Sequence, residues 1–163
     1  MRRIALFLVL LVSAAAYGQN SDLGVLGGLT HYNSETRFGF QVNYAFQFWQ
    51  RPAGRLYVEL PAFVPVSPKG QSNSVRIFVA PGVRYHFNIT PRTVVYAAIG
   101  GGLAVRPDTS SISSAFAYGG GLDFRLTRLW SLRSDMRDLV TSRSTGYGGG
   151  HNPSLMFGAA LHF

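Results

Sequence analysis

Arg37-Phe38-Gly39-Phe40-Gln41-Val42-Asn43-Tyr44-Ala45-Phe46-Gln47-Phe48 is the stretch that decides how this chain folds. Phe38, Phe40, Val42, Tyr44, Phe46 and Phe48 fall two apart, with Arg37, Gly39, Gln41, Asn43, Ala45 and Gln47 between them. Successive side chains of a strand point to opposite faces, so this period predicts one long β-strand with an apolar face and a polar face. A second stretch repeats it, with Val75, Ile77, Val79, Val83, Tyr85 and Phe87 set against Arg76, Ala80, Gly82, Arg84 and His86.

Working outward, eight segments carry period-two patterning: Leu23 to Tyr32, Arg37 to Trp49, Arg55 to Val66, Val75 to Asn88, Thr93 to Arg106, Ala115 to Leu126, Trp130 to Val140 and Ser154 to Phe163. Each reaches the roughly 9–11 residues that a tilted membrane strand needs and exceeds the roughly 5–6 residues usual in soluble strands. A soluble sheet would bury its apolar face against a second layer, yet no segment of helical period remains to supply one. The covering layer is therefore lipid. The connections support this, because Gln50 to Gly54, Ile89 to Arg92 and Thr127 to Leu129 are tight turns, whereas Ser67 to Ser74, Pro107 to Ser114 and Thr141 to Pro153 are longer and rich in Gly, Ser, Asn and Pro. Short periplasmic turns, longer outer loops and an even strand number belong to bacterial membrane barrels. The segment His31 to Thr36 is short for an outer loop. The expected fold is all-β, an eight-stranded antiparallel up-and-down transmembrane β-barrel.

The amino-terminal residues supply the compartment. Met1-Arg2-Arg3, the apolar run Ile4 to Val12 and the small residues Ser13 to Ala16 have the order of a secretory signal peptide. The expected organisation is a signal peptide over 1–18 and an outer-membrane barrel domain over 19–163, placed in the outer membrane of a Gram-negative-type bacterium after export. The chain has no cysteine, which excludes disulfides and a lipoprotein anchor. Its 15 Lys and Arg against 7 Asp and Glu give a net charge of +8. The arginines are dispersed and Lys69 is the single lysine, so no nucleic acid is expected as a partner. The expected partners are outer-membrane lipid and lipopolysaccharide, met by attraction of opposite charges, with surface ligands at the loops. The protein is expected to be a monomer.

On the polar parity lie Arg55, Glu59, Arg76, Arg84, Asp123, Arg125, Arg133, Asp135 and Arg137. An arginine facing lipid at the midplane costs about 2–4 kcal/mol, so these residues are expected to form a charge network in the lumen. An eight-stranded interior is about filled by side chains, which favours a plugged, salt-bridged core; the alternative is a narrow anion-preferring channel lined by the arginines. The runs Gly100 to Gly102 and Gly119 to Gly121 are expected roughly opposite each other, forming a smooth wall against those arginines. Phe48, Trp49, Tyr57, Tyr85, Phe87, Phe124, Trp130 and Phe163 are expected in one interfacial belt, and Tyr32, Phe38, Phe63 and Phe116 in the other.

Catalytic and metal signals are weak. His31 and His151 read as loop or rim residues, and His86 and His162 as hydrogen-bonding groups at the lumen rim. Four histidines without paired spacing give no metal site, and no cofactor is expected. Taken together, the strand count, turn asymmetry, Arg133-Ser134-Asp135-Met136-Arg137-Asp138 and the final Leu161-His162-Phe163 resemble the OmpA/opacity-type eight-stranded outer-membrane barrels. The resemblance implies an assembly signal at Phe157, Leu161 and Phe163, read by the barrel-assembly machinery. It implies a structural or adhesin-like role and no particular activity. Because a deacylase and a palmitoyltransferase that modify lipid A use barrels of this size, a lipid A-modifying enzyme is the alternative. No nucleophile-and-base spacing on one strand supports it, and the expectation is a protein without enzymatic activity.

Overall fold

The computed structural model describes residues 20–32, 35–66, 77–106, 111–142 and 150–163. The expected signal peptide, the expected lumenal Arg76 and the loop Ser67 to Ser74 lie outside the described residues. The elements are β1 (Ser21–Tyr32), β2 (Glu35–Arg51), β3 (Gly54–Pro65), β4 (Ile77–Val79), β5 (Gly82–Asn88), β6 (Thr93–Arg106), β7 (Ser111–Arg125), β8 (Trp130–Thr141) and β9 (Pro153–His162). Neighbours pair antiparallel, and β1 pairs with β9 from Asp22↔His162 to Thr30↔Ser154, which closes the sheet into a barrel.

The fourth expected strand is present as two pieces, β4 and β5. Their register against β6 runs on without a slip, from Val79↔Leu103 to Gly82↔Gly100. Against β3 it runs from Ala62↔Val79 to Glu59↔Gly82. The two are therefore one member of an eight-stranded ring, interrupted at Ala80-Pro81 because proline has no N–H to give the ladder. The neighbouring bonds survive: Ala80 N donates to Pro61 O at 3.3 Å and Gly101 N to Pro81 O at 3.0 Å. In β2 the ladder to β3 shifts between Gln47 and Trp49, a bulge near the turn.

Two turns share one device. Thr90 Oγ1 accepts from Arg92 N at 3.3 Å and Thr93 N at 2.9 Å, and Thr127 Oγ1 accepts from Leu129 N at 3.2 Å and Trp130 N at 3.0 Å. A threonine hydroxyl that caps the backbone two and three residues ahead pins a short reversal. These turns and the β2–β3 connection lie at one end of the barrel, the turn end; the connections out of β1, β3, β6 and β8 leave at the other, the loop end.

The outer face is apolar on every side. Val25, Phe40, Leu60, Val83, Ile99, Leu122, Met136 and Phe157, one from each of the eight members of the ring, are each 40% or more exposed. Phe48, Trp49, Phe87, Phe124 and Trp130 surround the turn end on the outside, and Phe38 and Phe116 the loop end. Two residues expected in these belts are elsewhere: Tyr57 and Phe63 are 5% and 2% exposed and point into the lumen. They share the parity of Glu59, and parity decides the face. The glycine runs are not opposed either. Gly119 to Gly121 pair with Ala98, Ala97 and Tyr96, and Gly100 to Gly102 pair with Ala117, Phe116 and Ala115. The register is set by strands that meet closer to the loop than the expected boundary at Ala115. What Gly121 makes room for is an aromatic ring, since a Cβ there would stand 2.5 Å from Tyr96 Oη.

Candidate functional site

Alternation sends the polar face of every strand into the barrel, and the lumen divides into three tiers along the axis. The middle tier is a network of four carboxylates and three guanidiniums, all at 2% exposure or less. Arg133 grips Asp123 with Nε to Oδ1 at 2.9 Å and Nη2 to Oδ2 at 2.7 Å, and sends Nη1 to Asp22 Oδ1 at 3.0 Å. Arg84 reaches the other oxygen of Asp22 from β5 and lies 3.8 Å from Glu59. Arg137 binds Asp135 through Nε at 2.8 Å and Nη2 at 2.9 Å, and donates to both oxygens of Glu59. Such paired forks are the strong form of carboxylate recognition.

Neutral groups complete the tier. Asn43 Nδ2 donates to Glu59 at 3.2 Å, Ser131 Oγ to Asp123 at 3.1 Å and Tyr96 Oη to Asp135 at 2.8 Å. The Arg84 guanidinium sits 5.1 Å from the Tyr57 ring and 5.3 Å from Tyr96, a doubled cation–π contact. His86, expected at the rim, is instead 2% exposed and lies between those same two rings, at 4.4 Å and 5.4 Å. His162 is at the rim, with Nε2 2.9 Å from Ser131 Oγ.

Toward the loop end the lumen turns apolar. Leu26, Phe63, Phe78, Ala80, Ala104, Ala115, Ala117, Leu139 and Met156 form one buried cluster. Phe63 joins the tiers, with the Arg137 guanidinium 6.0 Å from its ring. Phe63, Phe78, Leu26, Met156, Arg84, Arg133 and Arg137 are each exposed by about 2% or less. A water-filled path along the axis would wet them.

The turn-end tier holds the other two expected charges among the described residues. Arg55 and Arg125 line a recess of about 510 Å³ and have no ion pair among the described residues. The network thus unites Glu59, Arg84, Asp123, Arg133, Asp135 and Arg137, leaves Arg55 and Arg125 apart, and adds Asp22. Asp22 was invisible at the sequence level because the first strand was expected to start at Leu23; it begins at Ser21. Asp22 has the parity of Gly24 and Leu26, and that was the available signal.

A separate polar group stands on the outer wall near the loop end. Asp138 of β8 pairs with His151 Nδ1, accepts from Tyr118 Oη at 2.9 Å and from Asn152 N at 2.9 Å. The His151 side chain is 70% exposed. Asp138 was not among the expected site residues. Among the described residues no group of three or more His, Asp or Glu is placed to hold a metal ion.

Closed ring, apolar outer wall and charged lumen define the architecture of the small eight-stranded transmembrane barrels. Solved structures share it. The N-terminal β-barrel domain of Pseudomonas aeruginosa OprF is 14% identical, with 90% of this chain and 99% of that chain covered at a TM-score of 0.62. Ail, the attachment invasion locus protein of Yersinia pestis, is 14% identical, with 88% and 97% covered at 0.59. The outer membrane enzyme PagL is 16% identical, with 87% and 99% covered at 0.58. No protein-family model and no curated protein sequence matches the chain. At these identities the likeness is one of fold.

Proposed function

We propose that this chain is a non-enzymatic, monomeric barrel of the bacterial outer membrane, exported by a signal peptide over residues 1–18, with a structural or adhesion-type role carried by its loop end. The observation that supports this is the blocked lumen: Arg84, Arg133 and Arg137, which would line the middle of an anion channel, are paired to carboxylates, and an apolar cluster lies beyond them. Ail, a barrel of similar fold, is an attachment protein by name and has been crystallised with the heparin analogue sucrose octasulfate. That precedent favours loop-borne recognition of a surface ligand. Phe157, Leu161 and Phe163 would serve as the assembly signal in the last strand. In planar bilayers the purified protein should give no stable single-channel steps; regular anion-selective steps would replace this reading with the channel. Trimming Ser67 to Ser74 and Thr141 to Pro153 should abolish partner binding while leaving a heat-modifiable barrel on gels.

One observation favours a second reading, a lipid A-modifying enzyme. A carboxylate that holds an exposed imidazole, as Asp138 holds His151, is two-thirds of a nucleophile-base-orienter arrangement. No hydroxyl nucleophile bonds to His151 among the described residues, which is why the non-enzymatic reading is preferred. Mass spectra of lipid A from expressing cells decide: an altered species that disappears with His151→Ala would establish the enzyme, and unchanged lipid A removes it.

A further inference from the structure

Charge in the lumen is segregated. The middle tier holds four carboxylates against three guanidiniums, so it carries one net negative charge when all are ionised. The turn end holds Arg55 on β3, Arg125 on β7 and Arg128 on the β7–β8 turn, and none has an ion pair among the described residues. That charge and the terminal carboxylate of Phe163, which lines the same recess, offset at most two of these three. The recess of about 510 Å³ that they line also presents Gln47, Gln50 and Tyr57, and no acidic side chain. A second recess of about 360 Å³ shares Arg55 and Arg125 and adds Asn88 and Thr90, again without an acid. Arg55 and Arg125 therefore stand between two polar hollows, and Arg55 Nε is buried without a hydrogen-bond partner.

Guanidinium forks match the geometry of phosphate oxygens and bind them bidentately. Guanidinium forks left without an ion pair at a concave, polar mouth that has no acidic side chain attract anions from the solution beyond it. We infer that the turn-end mouth is a binding site for a soluble multivalent anion of the phosphate class, held by Arg55 and Arg125 with Arg128 at the entrance. His162 also lines the recess, but its ring nitrogen is engaged by Ser131. The paired arginines of the middle tier take no part.

Titration calorimetry with pyrophosphate, on the full barrel folded in a neutral detergent at low ionic strength, tests this. Saturable one-site binding is expected, weakened at least tenfold by the double substitution Arg55→Gln and Arg125→Gln and unchanged by Arg51→Gln, a residue outside the recess. Absence of saturable binding, or equal affinity in the double variant, overturns the site. Should the double variant lose its heat-modifiable mobility, Arg128→Gln on the exposed turn replaces it, with about threefold weakening expected and no change counting against. Repeating the titration in phosphatidylcholine vesicles with and without phosphatidylglycerol separates the sources. Equal pyrophosphate affinity in both supports a soluble ligand, whereas loss on adding the anionic lipid would assign the arginines to headgroups and overturn it.

Discussion

Arg137 of β8 and Glu59 of β3 stand on diametrically opposed strands of the ring, and their side chains meet in the middle, with Arg137 Nη2 donating to Glu59 Oε2 at 3.1 Å. Three strands separate them on either side. The pair acts as a spoke, tying two walls that share no backbone hydrogen bond.

Breaking that spoke from one side should be costly. Arg137→Met leaves Glu59 and Asp135 buried beside each other without their shared cation, and removal of one partner of a buried ion pair costs about 3–5 kcal/mol. The expected outcome is a large fall in the urea midpoint of the detergent-folded protein. Replacing both partners, Arg137→Met with Glu59→Leu, should recover part of the loss, because the second substitution removes an uncompensated charge. A double variant no more stable than the single would mean that the pair is not coupled.

Tyr96→Phe isolates a smaller term. It deletes the hydroxyl that donates to Asp135 at 2.8 Å and to Ser134 O at 3.1 Å while keeping the ring beside Arg84. A loss of about 1–3 kcal/mol is expected in the same denaturation assay. Gly121→Val should be worse, since its Cβ would collide with the Tyr96 ring and with Ser134 O at 2.0 Å. It should fail to give a heat-modifiable band.

The outer wall makes a prediction about solvent. Met136 is 64% exposed at the centre of β8. If lipid covers it, Met136→Arg should destabilise the barrel in phospholipid vesicles by about 2–4 kcal/mol. On a water-facing sheet the same change would be near neutral, so vesicle-based urea titration distinguishes the two.

Phe163→Ser separates folding from delivery. Phe163 N donates to Ser21 O at 2.9 Å and its carbonyl accepts from Ser21 N at 2.7 Å, and both bonds survive the substitution. Refolding in detergent should therefore be close to wild type. In cells, a role of the side chain in assembly would appear as loss of the folded band from the outer-membrane fraction; equal amounts in that fraction would exclude it.

Period-two patterning was enough to place the strands because lipid outside and charge inside make the two faces chemically unlike, which is the strongest signal a strand can carry. It was least informative where one face changes character along its length. Leu26, Phe63, Phe78, Leu139 and Met156 share the inward parity with Glu59, Arg84 and Arg137, yet apolar side chains on both faces erase the alternation locally. An apolar cap inside the lumen therefore reads as lipid-facing residues out of step. The placement of Tyr57 and Phe63 in interfacial belts failed for that reason. Pro81 also had a readable meaning, a missing donor within an otherwise continuous strand, but its effect on pairing depends on what β3 and β6 offer from either side.

The position of Asp22 bears on the order in which the barrel can be built. It lies on β1, at the seam where the first and last strands meet, and it supplies a partner to both Arg84 and Arg133. A sheet that still lacks this strand would enclose Arg84 with only the more distant Glu59 and leave Arg133 with Asp123 alone. Zipping the seam and neutralising the interior are thus a single step, so the open sheet is electrostatically unfinished until its last edge is paired. Half-closed forms should be sparse at equilibrium, and the energetic reward for completing the circle is concentrated at its final stitch.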